Sequence, residues 1–528
     1  MIKATGQGFV FATPNFWPMT FRFAFCPILF SALVPMVAWA QAPQAAPAPT
    51  LAVKPVAPIP APVVETPDEP GVIWAPAATG NFRPSNRPAA PTDPKNGTGV
   101  VDRVIIHDIE GSAEGAVNWF QNPKSGVSAH YVVDAVRGRI WQQVKERDIG
   151  YHAGNWNINT RSIGIEHEGF AYRPGFYTTT LYETSARLVR DITNRYQIPR
   201  DRTHIIGHFE VPNASDPTKF GGSNGHTDPG PYWDWDYYMV LVRNDARPEG
   251  TPPSLLVLHP GEKASVILSF TNTGDDAWPA QTCAVQDVAL QTSGPVYVGT
   301  ASGQPSPLTG TAWASPRFAA TAPNAIAPGA TGTFTLGLQG PSFAATPSVV
   351  VDVLRLTKVL PAPHLPVPFG PAVSVSAQIV PWDLAFQDGG TGLAGQPAPT
   401  VTAPGWATKN VNGHRAFEAK NPQTPLEFRG TLPLAGTWEV YARYAPGRDR
   451  TQKAVYEILT ATGPVRVTLD QREGVAKDGW KLLGRFDLLD PKAVSVRFIS
   501  ESGGTVSADA LRFVGPVAPA PPPPATLN

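Results

Sequence analysis

Cysteine is nearly missing from this 528-residue chain, which has only Cys26 and Cys283. Two cysteines cannot form a disulfide framework or a multi-cysteine zinc site. Charge is sparse as well: Asp, Glu, Lys and Arg make up 16% of residues, against about 25% on average. The 42 basic residues equal the 42 acidic ones, so the formal net charge is zero. A chain with no overall basic field is not expected to have nucleic acid as its partner. Past residue 40 no apolar run approaches the roughly 18 residues of a membrane span, so no transmembrane anchor is expected. The HExxH signature is also absent. His167-Glu168 is followed by Gly-Phe-Ala and His208 by Phe-Glu-Val-Pro, which gives no support to a thermolysin-like protease.

Proline, in contrast, is abundant, at 59 residues, about twice average usage. It breaks helices and central strands, so the excess belongs in linkers and turn-rich β domains. Residues 1–40 contain Lys3 and Arg22 and no acid, then an apolar stretch from Phe23 to Val37 and Ala38-Trp39-Ala40. That is the pattern of a secretory signal peptide with a small-residue cleavage site, with Met19 as an alternative start. Its removal leaves 40 basic and 42 acidic residues. Cys26 lies in no lipobox-like context, so a lipoprotein is not expected. Residues 41–71 are rich in proline and alanine and read as a stiff spacer. Residues 247–254 read as a second linker and 515–528 as a proline-rich tail.

Seven of the ten histidines fall between residues 101 and 230: His107, His130, His152, His167, His204, His208 and His226. Clustering of this kind favours a metal or acid–base site. Val101 to Ile106 is an apolar run that ends in His107, as expected of a buried strand delivering a side chain at its C-terminal edge. Ser128 to Val133, Arg161 to Glu166 and Thr203 to His208 read as three further strands. In the third of the four, Gly164 and Glu166 face opposite to Ile163 and Ile165. A helix is predicted over about residues 180–196, with Thr180 and Glu183 as a capping box and Leu181, Leu188, Val189 and Ile192 on one face. Two strand-end histidines and an acid after a loop make an open zinc site with three protein ligands. Asp228 is the expected third ligand, with His226 and Asp216 as rivals.

The blocks VIIHDIEGS (104–112), VSAHYVVD (127–134), DIGYHAGNW (148–156), RSIGIEHEG (161–169), HIIGHFEVP (204–212) and HTDPGPYWDW (226–235) closely resemble the zinc-dependent N-acetylmuramoyl-L-alanine amidases. Those enzymes share a fold with phage lysozyme-type amidases and peptidoglycan recognition proteins. The resemblance spans residues 72–246 and implies an α/β domain with a mixed central sheet flanked by helices. It implies Zn2+ as cofactor, with His107 and His208 as ligands and Asp228 where relatives have Cys or Asp. It makes Glu166 the acid facing the metal and Tyr131 a site tyrosine, and it places His226 near the position where several relatives carry Lys. The implied reaction is cleavage of the amide between N-acetylmuramic acid and L-alanine in peptidoglycan. Water activated by zinc would attack, Glu166 would move the proton, and His226 or Tyr131 would stabilise the oxyanion. Residues 214–225 are expected to form a loop beside the cleft. Tyr151 and Trp156 are candidates for lining it, and Trp233 and Trp235 are expected to pack in the core.

Residues 255–378 show short apolar runs between Gly and Pro turns, and Phe270 to Gly274 with Trp278 resembles a bacterial Ig-like module. Residues 379–514 alternate in the same way, and Leu432 to Tyr444, Gly479 to Phe486 and Ala508 to Val514 resemble golvesin C-terminal-like domains. Two all-β sandwiches are therefore expected after the α/β domain, with a glycan or cell-wall polymer as the ligand of the C-terminal part. The expectation as a whole is a secreted, monomeric peptidoglycan hydrolase, extracellular or periplasmic. The alternatives are a non-catalytic peptidoglycan-recognition protein and a wall-docked adhesin.

Overall fold

The computed structural model describes residues 65–87, 100–251, 253–280, 294–362, 364–411, 414–475 and 479–519. The leader over residues 1–40, Cys26, Cys283, the spacer up to residue 64 and the end of the tail lie outside the described residues.

The N-terminal body is built on a mixed sheet. Its elements are β1 (Ile73–Trp74), β2 (Phe82–Arg83), β3 (Arg103–Asp108), α1 (Ala113–Gln121), β4 (Tyr131–Val133), β5 (Ile140–Gln142), β6 (Ile149–Gly150), α2 (Trp156–Asn159), β7 (Ser162–His167), α3 (Thr179–Tyr196), β8 (Ile205–Gly207) and α4 (Trp235–Arg243). Six strands follow the order β1-β5-β4-β7-β3-β8, and β2 pairs separately with β6. Only β4 and β5 run antiparallel within the six. β3 sits between two parallel neighbours, which is why its Val104-Ile105-Ile106 run is apolar on both faces.

The two faces are covered by different helices. Leu181, Leu188, Val189 and Ile192 of α3 pack with Tyr238 and Leu241 of α4 on Val104, Ile106, Tyr131 and Ile165. Ala116, Val117 and Phe120 of α1 pack on Val132 and Trp141. Full burial of one such Leu or Ile contributes about 1.5–3 kcal/mol. The cap of α3 differs from the one expected. Thr178 is the N-cap, its hydroxyl accepting from Leu181 N at 3.1 Å, while Thr180 lies inside the first turn. Capping-box spacing pointed to Thr180 and Glu183, but the cap falls to Thr178, whose hydroxyl also donates to the Ala135 carbonyl.

Three expected boundaries move. Residues 65–71 are not spacer. Asp68 accepts from Glu146 N at 2.8 Å and Glu69 pairs with Arg195 at 2.7 Å, so the packed body begins by Glu65. Residues 247–254 are not simply a linker either, because Ala246–Glu249 is a strand paired antiparallel with Ser269 to Asn272. Pro248 is tolerated there because this strand lies at a sheet edge and has one neighbour. The final strand, Ala510–Val517, runs past residue 514, and Pro516 accepts from Ala344 N at 2.9 Å.

The middle region contains a five-stranded sheet and a three-stranded sheet, and side chains of both share one core. Trp278 is fully buried, with Phe334 of the smaller sheet 6.5 Å away and Phe369 of the larger one 5.8 Å away. That core is continuous with the core beneath α3 and α4. The C-terminal region contains sheets of four, five and three strands around a separate core that includes Trp438, Phe428 and Phe498.

Asp276 joins the N-terminal body to the middle region. It pairs with Arg243 of α4 at 2.6 Å and with Lys358 at 3.5 Å, and the Lys358 side chain is 2% exposed. Asp276→Ala strands that buried ammonium and is expected to cost about 3 kcal/mol. Scanning calorimetry should show the first unfolding transition moved to lower temperature.

Candidate metal centre

The register of the sheet assembles the site. His107 lies opposite Glu166 in β3–β7, and Val132 opposite Glu166 in β4–β7. Ile106 lies opposite Gly207, which brings His208 level with His107 on the far side. Residues level with one another in neighbouring parallel strands share a face, so His208, His107, Glu166 and Val132 form one row.

At the C-terminal edge of this row His107, His208 and Asp228 converge, with ligand-capable atoms all within 4.8 Å of one another. His107 Nδ1 lies 3.1 Å from His208 Nδ1 and 3.1 Å from Asp228 Oδ2. His208 Nδ1 lies 3.2 Å from Asp228 Oδ1. Donors held about 2.0–2.1 Å from a tetrahedral zinc ion stand about 3.3 Å apart, so three donors at these separations fit such an ion with a fourth position open. The two imidazoles present the same kind of nitrogen to each other, an arrangement suited to a shared cation.

Electrostatics follow from burial and proximity. Burial and the neighbouring His208 push His107 down to about 4. Burial pushes His152 well below the usual histidine range, with His107 and His130 adding to the effect. Burial raises Asp228, but hydrogen bonds and charge from His107 and His208 prevail and hold it far below the carboxylate range. Burial raises Glu166 well above it, helped by the charges of Asp228 and Asp108. Glu166 borders a cavity of about 380 Å³ that is also lined by Asp108, Ser112, Trp119 and Val127.

The other expected residues divide. His226 stacks on His208 with ring centroids 4.3 Å apart and its Nδ1 3.7 Å from Asp228 Oδ1, and its side chain is 47% exposed. Asp216 is not in the cluster; it pairs with Lys219 at the surface. Tyr131 requires a correction. It lies opposite Ile165, one residue out of step with the Glu166 row, so its ring enters the core under α3. Its hydroxyl donates to Glu146 at 2.7 Å. Tyr151 and Trp156 approach each other at 6.3 Å, Trp156 being exposed. Trp233 is buried, while Trp235 is half-buried beneath Arg202 at 3.4 Å. The 214–225 segment packs beside the residues after His152, with Ser223 N donating to Gly154 O at 2.9 Å.

Sequence reasoning assigned no role to three neighbours. His152 Nδ1 lies 3.0 Å from His107 Nε2. Asp108 accepts from Glu110 N at 2.9 Å and Ala171 N at 3.1 Å. The Tyr177 hydroxyl lies 2.9 Å from Asp108 Oδ2 and 2.6 Å from the Pro229 carbonyl, bracing the loop that carries Asp228. The one available signal was the position of Asp108 directly after a strand-end histidine. His167 and His204, in contrast, are elsewhere: His167 bonds the His107 carbonyl and Ser185, and His204 pairs with Asp201.

Two segments of the chain match known families. Residues 97–231 match the family profile described as N-acetylmuramoyl-L-alanine amidase, and residues 401–515 match the Golvesin C-terminal domain. The chain is 32% identical over 187 residues to N-acetylmuramoyl-L-alanine amidase A of Achromobacter lyticus, covering 32% of this chain and 92% of that protein. It is 35% identical over 124 residues to 1,6-anhydro-N-acetylmuramyl-L-alanine amidase AmpD of Haemophilus influenzae, covering 22% of this chain and 59% of that one. Among solved structures, N-acetylmuramoyl-L-alanine amidase LysC from Clostridium intestinale is 17% identical, with 32% of this chain and 95% of that chain covered and a TM-score of 0.23.

Tyr131→Phe should leave divalent-metal uptake unchanged, because the ring faces away from the cluster. It should cost about 1 kcal/mol of stability for the lost bond to Glu146. Calorimetric zinc titration and denaturant unfolding of the variant measure the two effects separately.

Proposed function

The chain belongs to the N-acetylmuramoyl-L-alanine amidase family, and from that premise we propose that it is a secreted zinc amidase cleaving the bond between N-acetylmuramic acid and L-alanine in peptidoglycan. The observation that carries the reading is the convergence of His107, His208 and Asp228 at the edge of the row in which His107 and His208 stand level with Glu166. His107, His208 and Asp228 would hold the ion. When bound, zinc supplies Lewis acidity that acidifies water and polarises a carbonyl.

The chain's own residues do the rest. The Glu166 carboxylate takes a proton from the attacking water and returns it to the leaving nitrogen of L-alanine. Its burial beside Asp228 and Asp108 suits that return, since it keeps the proton on the carboxyl until the amide nitrogen accepts it. His226, stacked on His208 and open to solvent, would donate to the developing oxyanion. The cavity beside Glu166, with exposed Trp119, receives the muropeptide. The residue 1–40 leader directs the enzyme out of the cytoplasm, and the enzyme acts as a monomer. The C-terminal β region, which carries the Golvesin C-terminal match, holds it to a wall glycan or polymer and so raises the effective substrate concentration. The domain plan that follows is an amidase body from residue 65, a middle β region from residue 246 and a C-terminal β region ending at residue 517.

Purified protein should digest sacculi and release stem peptides with a free L-alanine amino terminus, read by mass spectrometry. Glycan fragments or internal peptide cuts alone would count against the amidase reading. Chelation should abolish release and zinc should restore it. Glu166→Gln should retain zinc by elemental analysis while kcat falls at least about 10²-fold.

A further inference from the structure

The contact between His107 and His152 continues into a chain of hydrogen bonds with only one consistent direction when both rings are neutral. Ser162 Oγ lies 2.7 Å from the Ile158 carbonyl, which can only accept, so the serine proton is committed there. Ser162 Oγ is therefore an acceptor for the His152 ring, whose Nε2 lies 3.3 Å away. With its proton on Nε2, His152 presents an unprotonated Nδ1 to His107 Nε2 at 3.0 Å. The proton in that contact must then belong to His107 Nε2. His107 Nδ1 is left with a free lone pair, and it is this atom that faces His208 and Asp228 at 3.1 Å.

The seat of the ring is built for this contact. A Cβ at Gly164 would lie 2.5 Å from His152 Cγ and 2.6 Å from its Nδ1, so the imidazole lies directly on the strand at a position where no other residue fits. The backbone on either side is fixed as well: Asn159 Oδ1 accepts from Ala153 N at 2.8 Å and from His152 N at 3.3 Å.

We propose that His152, oriented by Ser162 and seated on Gly164, is a positioning residue that fixes the His107 tautomer and so makes Nδ1 the metal-binding atom. The inference rests on the zinc reading above but concerns the apo chain as well. Outer partners that orient a ligating histidine typically change metal affinity about 10- to 100-fold when removed.

The test uses the full chain with zinc as the probe. His152→Ala should weaken zinc binding about 10- to 100-fold by chelator competition. His152→Asn, which offers an acceptor where Nδ1 stood, should stay within roughly threefold of wild type. In the metal-free wild type, long-range ¹⁵N–¹H spectra of histidine-labelled protein should show His107 protonated at Nε2, its signals assigned by their loss in His107→Ala. A His107 protonated at Nδ1 overturns the relay, and this measurement does not depend on a variant folding. Equal loss of zinc in the Ala and Asn variants also overturns it, as does unchanged affinity in His152→Ala. A wild-type chain that takes up no zinc overturns the proposed function itself.

Discussion

Parallel pairing of β3 with β7 on one side and β8 on the other is the constraint on which the site depends. His107, His208 and Glu166 are separated by dozens of residues, and only this register makes them neighbours on one face. Side-chain direction in a strand alternates with every residue, so a slip of one position would turn Glu166 toward α3 and bring Ile165 to the cleft. The apolar faces prevent that slip. Val104, Ile106, Ile163 and Ile165 are fully buried under α3 and α4, and a shift would exchange them for Arg103, His107 and Glu166. The same hydrophobic burial that stabilises the fold therefore positions the chemistry.

The extent to which this was legible follows from the same alternation. Apolar runs ending in histidine marked β3 and β8, and the helix period marked α3, because both are local patterns. Asp228 was legible as an acid after a loop. Tyr131 was misplaced because its face depends on how β4 registers against β7, a non-local fact that no spacing within VSAHYVVD reveals. His152 was hidden for the same reason: its partner His107 is 45 residues away. Proline misled the reading at residues 247–254, where the turn-rich composition suggested a break. The structure pairs Arg247, Pro248 and Glu249 with Thr271, Phe270 and Ser269 at a sheet edge.

That edge strand gives the modular plan a physical qualification. The chain leaves α4 and enters the middle sheet within three residues, Ala246 following Arg243. Phe369 and Trp278 share a core with Leu241 and Tyr238. Arg355 reaches Glu183 of α3 at 2.9 Å, and His364 reaches Asp234, the N-cap of α4, at 3.1 Å. A shared apolar core does not let its two halves move freely, so the middle region is a buttress for α3 and α4 more than a bead on a string. The C-terminal region has a core of its own, and its links to the middle region are narrower, among them the stack of His259 on Trp382 at 4.0 Å.

In the proposed site an aspartate stands where a thiolate could, and both carry one negative charge. Two neutral imidazoles and one carboxylate carry a single negative charge, so a dication among them would leave one positive charge in a buried site. Burying an uncompensated charge costs several kcal/mol or more. Glu166 is the nearby acid on the same face, and its carboxylate has no hydrogen bond or ion pair among the described residues. Burial, with the charges of Asp228 and Asp108 adding to it, raises Glu166, and a dication in the proposed site would act in the opposite direction. A carboxyl whose ionisation responds to its surroundings in this way suits the proposed role of taking and giving a proton. Asp108 is engaged differently: one of its oxygens accepts from two backbone N–H groups, and the other lies against the Tyr177 hydroxyl.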